Sequence, residues 1–154
     1  MKKLLIFGGI IIVLFGALAW ITSYTQKQKA EGNPFGKEEL HPATIDLLDD
    51  PNYQNIILPD ELREALNNKE TMTVYFYSST CEFCKKTTPI VVPLAKEMGI
   101  DLKQFNLLEF EEGWDEYDIE ATPTIVRFKN GKEVARIEGY YEEDVFRKWF
   151  EQTK

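Results

Sequence analysis

The apolar positions of this chain fall into two regimes. Leu4 to Ile21 form an 18-residue run, LLIFGGIIIVLFGALAWI, with no charged or strongly polar side chain. As a helix it spans about 27 Å at about 1.5 Å per residue, close to the roughly 30 Å hydrocarbon core of a bilayer. The pattern therefore predicts a signal anchor over residues 1–21. Lys2, Lys3 and the α-amino group stand before the run, while Lys27 and Lys29 behind it are partly offset by Glu31. That asymmetry predicts a cytoplasmic N-terminus and an extracytoplasmic remainder. Ala17-Leu18-Ala19 also has the small-x-small pattern of a signal-peptidase site, so the alternative is a signal peptide cleaved near Ala19 and a secreted product. No cysteine directly follows the run, which argues against lipid attachment there.

Beyond Ile21 the apolar positions thin out. Thr22 to about Leu40 is polar and interrupted by Gly32, Pro34 and Gly36, and it reads as a tether reaching roughly 25 Å as a coil. Ala43 to Leu48 accommodates one helical turn before the Asp49-Asp50-Pro51-Asn52 turn, so residues 22–54 are assigned as tether and N-terminal extension. Residues 55–154 carry the regular pattern of a folded domain. Asn55 to Leu58 is a short apolar strand, and Pro59-Asp60-Glu61 opens a helix through Leu62, Ala65 and Leu66. Thr71 to Tyr77 is β-branched and aromatic without polar alternation, as in a central strand covered on both faces. A helix follows from about Cys81 to Met98, ended by Gly99, and then a strand over Asp101 to Leu107. Glu109 to Tyr117 forms a short acidic helix or loop. Thr124 to Phe128 and Glu133 to Glu138 are strands joined through Asn130-Gly131, a strong hairpin signal. Val145, Phe146, Trp149 and Phe150 recur at helical spacing in the last element. Alternation first and a hairpin last predict an α/β domain with a central mixed sheet flanked by helices.

Composition narrows the function. The 154 residues have a net charge of −8. Removing Lys2 and Lys3 from the 18 basic residues leaves 16 against 26 acidic ones, a net −10 for the external part. Such a surface neither binds nucleic acid nor clings to anionic lipid. Glu109, Glu111, Glu112, Asp115, Glu116, Asp118 and Glu120 form a dense acidic stretch that reads as a solvated face, with Phe110, Trp114 and Tyr117 as core or rim. His41 is the single histidine and is assigned no chemistry.

The two cysteines, Cys81 and Cys84, stand directly after a strand and at the start of a helix. Residues three apart share a helix face, so their sulfurs can close a disulfide across one turn. As a staple this pair would restrict little of the unfolded chain, because stabilisation grows with loop length. As a metal site it would need further ligands from His41 or carboxylates at no recognisable spacing. Redox chemistry fits best. At the helix N-terminus, free N–H groups and the dipole stabilise a Cys81 thiolate, and Cys84, one turn in, is the resolving thiol.

From about residue 55 the domain resembles the thioredoxin family. The matching features are Cys81-Glu82-Phe83-Cys84 after a central strand, Pro89 five residues beyond Cys84, Ala121-Thr122-Pro123-Thr124 before the hairpin, and Phe128-Lys129-Asn130-Gly131 followed by Gly139. The resemblance implies a thioredoxin fold, a cis Pro123 facing the cysteines, and a Thr122 backbone that pairs with an extended substrate. Three departures stand out. Thr80 replaces the usual Trp before the first cysteine, Tyr75 replaces the buried acid that relays a proton, and that acid's lysine partner becomes Gln104. An unperturbed tyrosine, with a pKa of about 10, is a poor base at neutral pH, which leaves water or Glu82 as the candidate proton relay. Glu82 should also raise the Cys81 pKa through like charge.

The resulting expectation is an extracytoplasmic, membrane-tethered thiol–disulfide oxidoreductase, leaning towards reductase, with no organic cofactor and no metal. Its partners would be protein thiols and disulfides, together with an integral membrane thiol carrier or quinone-linked oxidase. The alternatives are a disulfide isomerase or oxidase, and a non-catalytic accessory binding module for peptide secretion.

Overall fold

The computed structural model describes residues 2–154. Met1, whose α-amino group enters the charge asymmetry above, lies outside the described residues. Helix α1 runs from Lys2 to Ala30, well past the predicted end at Ile21. Thr22 to Ala30 contains neither Gly nor Pro, and the Thr22 and Thr25 hydroxyls donate to the Leu18 and Ile21 carbonyls at 2.8 Å each. The helix stops where Gly32 takes a left-handed φ of 74°. Over its apolar length α1 is exposed, and it is long and apolar enough to cross a membrane, a property that anchors share with signal sequences.

The tether expected between Thr22 and Leu40 is not a free coil. After α1 the chain turns on Asn33, whose amide donates to the Ala30 and Lys37 carbonyls at 2.6 Å each and accepts from the Phe35 backbone N–H at 2.8 Å. Phe35, Leu40 and Ile45 are buried in the same core as Phe105, Phe110 and Val126. Helix α2 (Pro42–Ile45) is capped by His41, whose Nδ1 accepts from the Ala43 N–H at 3.1 Å. A 3₁₀ turn (Pro51–Tyr53) then carries Tyr53 into the opposite core. The physical reason for the difference is that three apolar side chains scattered in a polar segment form no local period, yet each finds a long-range partner.

The remaining elements are α3 (Pro59–Asn67), β1 (Met72–Tyr77), α4 (Glu82–Glu97), β2 (Leu102–Asn106), α5 (Glu112–Glu116), β3 (Thr124–Lys129), β4 (Lys132–Glu138) and α6 (Glu143–Thr153). The strand expected at Asn55–Leu58 reduces to one parallel bridge between Ile56 and Gln104. The sheet order is β2-β1-β3-β4, with β1 parallel to β2 and the other pairs antiparallel, the mixed sheet that the element order predicts. Asn130 and Gly131 both have positive φ, 53° and 73°, as a two-residue hairpin of the primed type requires.

Strand β1 is central and buried on both faces. Val74 and Phe76 enter one core with Leu62, Phe105 and Phe128, whereas Tyr75 and Tyr77 enter the other with Val91, Leu94, Phe146 and Phe150. Successive side chains of a strand point to opposite faces, which explains why a two-sided strand shows no polar alternation. The acidic stretch is exposed at Glu111, Glu112, Asp115, Glu116, Asp118 and Glu120, and Glu109 is its buried exception.

If the segment between α1 and the sheet is part of the folded unit, Phe35→Ala removes a ring that is 5% exposed and 6.2 Å from Phe110. The expected cost is about 3 kcal/mol of stability, read as a lower denaturant midpoint of the full chain. An unchanged midpoint would mean that the segment frays freely.

Candidate active site

The C-terminal end of β1 delivers the chain through Ser78, Ser79 and Thr80 to Cys81, the N-cap of α4. Cys81 has extended backbone angles (φ −78°, ψ 116°), and its N–H donates to the Ser78 carbonyl at 3.0 Å. Its sulfur caps the helix, accepting the Cys84 N–H at 3.0 Å. The two residues form a disulfide with a Cα–Cα separation of 5.2 Å. The asymmetry between them is large: Cys81 is half-buried and Cys84 is fully buried. An external sulfur or thiolate can therefore approach Cys81 alone.

The approach side is bounded by the segment before β3. The Thr122–Pro123 peptide bond is cis, and the Thr122 carbonyl lies 3.4 Å from the Cys81 sulfur. In the disulfide this sulfur bears no proton, so the contact is one of proximity; a reduced Cys81 thiol could donate along the same line. The Pro123 carbonyl accepts the Gly139 N–H at 2.8 Å, and the Thr124 hydroxyl donates to the Ala121 carbonyl at 2.8 Å, tying the segment to the sheet from both sides. Cys81, Cys84, Thr122 and Pro123 are thus brought together, although some forty residues separate the two halves of the group.

Glu82 is set apart from them. Its carboxylate faces solvent and accepts from Lys85 Nζ at 2.7 Å, a hydrogen bond that, more than any other cause, holds its pKa below the usual carboxylate range. The like-charge effect on Cys81 expected from Glu82 is consequently offset by an adjacent cation. Phe83 is also exposed, with Lys86 Nζ 5.7 Å from its ring centroid.

Beneath Cys84 lies a layer of neutral hydroxyls. Tyr75 is fully buried, and its hydroxyl is 2.9 Å from Thr88 Oγ1 and 3.5 Å from the Cys84 carbonyl. Thr88 Oγ1 also donates to that carbonyl at 2.8 Å. Burial raises the pKa of Tyr75 far above that of a free tyrosine, so its hydroxyl keeps its proton. Thr88 had no signal in the sequence, since a threonine four residues after a cysteine is common in a helix. Gln104 serves the N-terminal extension instead of the sulfurs. Its side chain donates to the Asn52 carbonyl at 2.6 Å and accepts the Asn55 N–H at 3.1 Å.

Comparison with known proteins agrees with this geometry. The thioredoxin family model matches residues 54–152. A thioredoxin H-type of Picea mariana is 32% identical over 89 residues, covering 57% of this chain and 71% of the relative. A thioredoxin of Rickettsia conorii is 29% identical over 93 residues, covering 59% of this chain and 89% of the relative. Among solved structures, the thioredoxin of Fasciola hepatica is 28% identical and superposes with a TM-score of 0.58, covering 66% of this chain and 100% of that one. With a matched segment that holds the sheet, the cis proline and the disulfide, the chain belongs to the thioredoxin family, whose members are generally protein-disulfide oxidoreductases.

Proposed function

We propose that this protein is a membrane-tethered thiol–disulfide oxidoreductase that reduces disulfides of protein substrates on the outer face of a membrane. The observation that carries the redox reading is the contrast between an accessible Cys81 at a helix N-terminus and a buried Cys84 beside it. The tether rests on the exposed apolar length of α1. The external side follows from the lysines that precede the apolar run. Reduction is favoured over oxidation because the relatives cited above are thioredoxins by name.

In the reducing direction the cycle starts with a Cys81 thiolate, stabilised by the Cys84 N–H and the α4 dipole. It attacks one sulfur of the substrate disulfide, and the other sulfur leaves as a thiolate that takes up a proton. Thr122 and Pro123 hold the substrate backbone alongside the mixed disulfide. Cys84 then loses its proton and attacks the Cys81 sulfur, releasing the second substrate thiol. The substrate has gained two electrons and two protons, and the enzyme is left as the Cys81–Cys84 disulfide. An integral membrane thiol carrier returns two electrons to that disulfide. Water takes the Cys84 proton, because Tyr75 and Thr88 on the inner side are neutral hydroxyls and the Glu82 carboxylate is turned to solvent and held by Lys85.

Three measurements test this reading. Replacing Cys84 with Ala should leave Cys81 able to attack but unable to be released, so mixed disulfides accumulate on the outer face. If none accumulate and the wild type does not reduce insulin, the chain is a binding module and the enzymatic reading is lost. A reduction potential near −270 mV supports a reductase, whereas a value between about −180 and −120 mV reassigns it as an isomerase or oxidase. Tyr75→Phe should leave the rate of the resolving step nearly unchanged from neutral to mildly alkaline pH. A loss of about 100-fold or more, the size of a general-base contribution, would make the tyrosine the proton acceptor.

A further inference from the structure

Three polar side chains from separate parts of the chain meet in the interior beside the disulfide loop. Thr44 on α2 is 1% exposed, Ser79 two residues before Cys81 is 2% exposed, and Asn106 at the end of β2 is 0% exposed. The Thr44 and Ser79 hydroxyls are 2.9 Å apart, and Asn106 Nδ2 donates to Ser79 at 2.9 Å and to Thr44 at 3.3 Å. The Asn106 carbonyl oxygen accepts the Leu108 N–H at 3.1 Å. Polar groups this deeply buried are costly to leave unpaired, so the triad constrains all three segments together.

The three segments differ in origin. Ser79 and Asn106 lie within the matched thioredoxin portion, and Thr44 lies upstream of it. The position of Thr44 is itself well determined. The buried Glu109 carboxylate accepts the His41 N–H at 2.9 Å, Lys37 Nζ reaches the same carboxylate at 3.4 Å and also donates to the Glu109 carbonyl, and Ile45 is anchored in the core. From Ser79 the coupling to the sulfur is short. The Ser78 carbonyl accepts the Cys81 N–H, which sets the extended N-cap conformation that aims the Cys84 N–H at the Cys81 sulfur.

We propose that Thr44 is a positioning residue for Cys81. Its hydroxyl holds the Ser78–Thr80 loop through Ser79, so that the helix N-terminus presents its N–H to the Cys81 thiolate at full strength. The segment between α1 and the sheet thereby sets the reactivity of the nucleophile without touching substrate. This rests on the redox reading above only in taking Cys81 as the attacking sulfur.

The experiment uses the full chain, reduced and held in detergent. It follows the pH dependence of iodoacetamide alkylation of Cys81, distinguished from Cys84 by the fragment ions of the peptide that carries both, and the equilibrium with glutathione. In Thr44→Val the loop keeps Asn106 but loses its tie to the segment before the sheet. Alkylation at neutral pH should slow by about fivefold, as expected from a weakened hydrogen bond to a thiolate, with the profile moved to higher pH and the glutathione equilibrium displaced. Thr44→Ser should restore both. Ser79→Ala cuts the same tie from the loop side and should move the profile in the same direction, which keeps the proposal testable if Thr44→Val does not fold. A Thr44→Val or Ser79→Ala chain that melts earlier but keeps the wild-type alkylation profile and glutathione equilibrium would reduce the triad to packing and overturn the proposal. Because alkylation reads the Cys81 thiolate without any turnover, a chain inactive on insulin would refute the reductase reading and leave this measurement intact.

Discussion

The structure depends on one constraint, the burial of β1 on both faces. A strand with Val74 and Phe76 on one side and Tyr75 and Tyr77 on the other must be covered by helices twice over and paired at both edges. The register then decides where chemistry can occur. Parallel pairing sets Tyr77 opposite Asn106, and antiparallel pairing sets Phe76 opposite Thr124. The exit of β1, the exit of β2 and the entry of β3 therefore converge at one edge of the sheet. Cys81, the triad that includes Asn106, and the cis proline segment all belong to that edge. A helix starting there meets both the Thr122 carbonyl and the polar support beneath the loop.

Much of this was legible because it is local. The Cys-X-X-Cys spacing after an apolar strand, the Asn130-Gly131 turn and the amphipathic last helix each announce themselves within a few residues, through periodicity or backbone conformation. The N-terminal extension was not legible. Phe35, Leu40 and Ile45 are separated by mostly polar residues, Gly36 and Pro42, so no window of sequence shows a face. Their burial is decided by Phe105 and Phe110, about seventy residues away. Glu109 was hidden for the converse reason, since six acidic neighbours made it look solvated although its carboxylate closes the Lys37–His41 tie. Thr44, Ser79 and Asn106 carry no spacing at all. Their association exists only once the sheet has formed.

The replacement of an ionisable acid by Tyr75 has a counterpart across the sheet. Gln104 pairs in register with Tyr75, and where a charged partner would have served the acid, its amide fastens Asn52 and Asn55. The interior below Cys84 is thereby electrically quiet, and the neighbouring strand position is freed to hold the extension. Two neutral side chains thus stand in register, and the amide of Gln104 is left to stitch backbone.

The docking of the extension also bears on how the disulfide would meet a partner in the membrane-tethered form proposed above. Ala30, the last residue of α1, and Phe35, the first aromatic residue beyond it, are both buried, with only Glu31 to Pro34 between them. A flexible leash makes encounter a matter of effective concentration, averaged over many orientations. A junction this short makes it a matter of stereochemistry. In a chain anchored through α1, the sulfurs stand on a post, and the depth and facing of a partner's thiols decide whether the two can react.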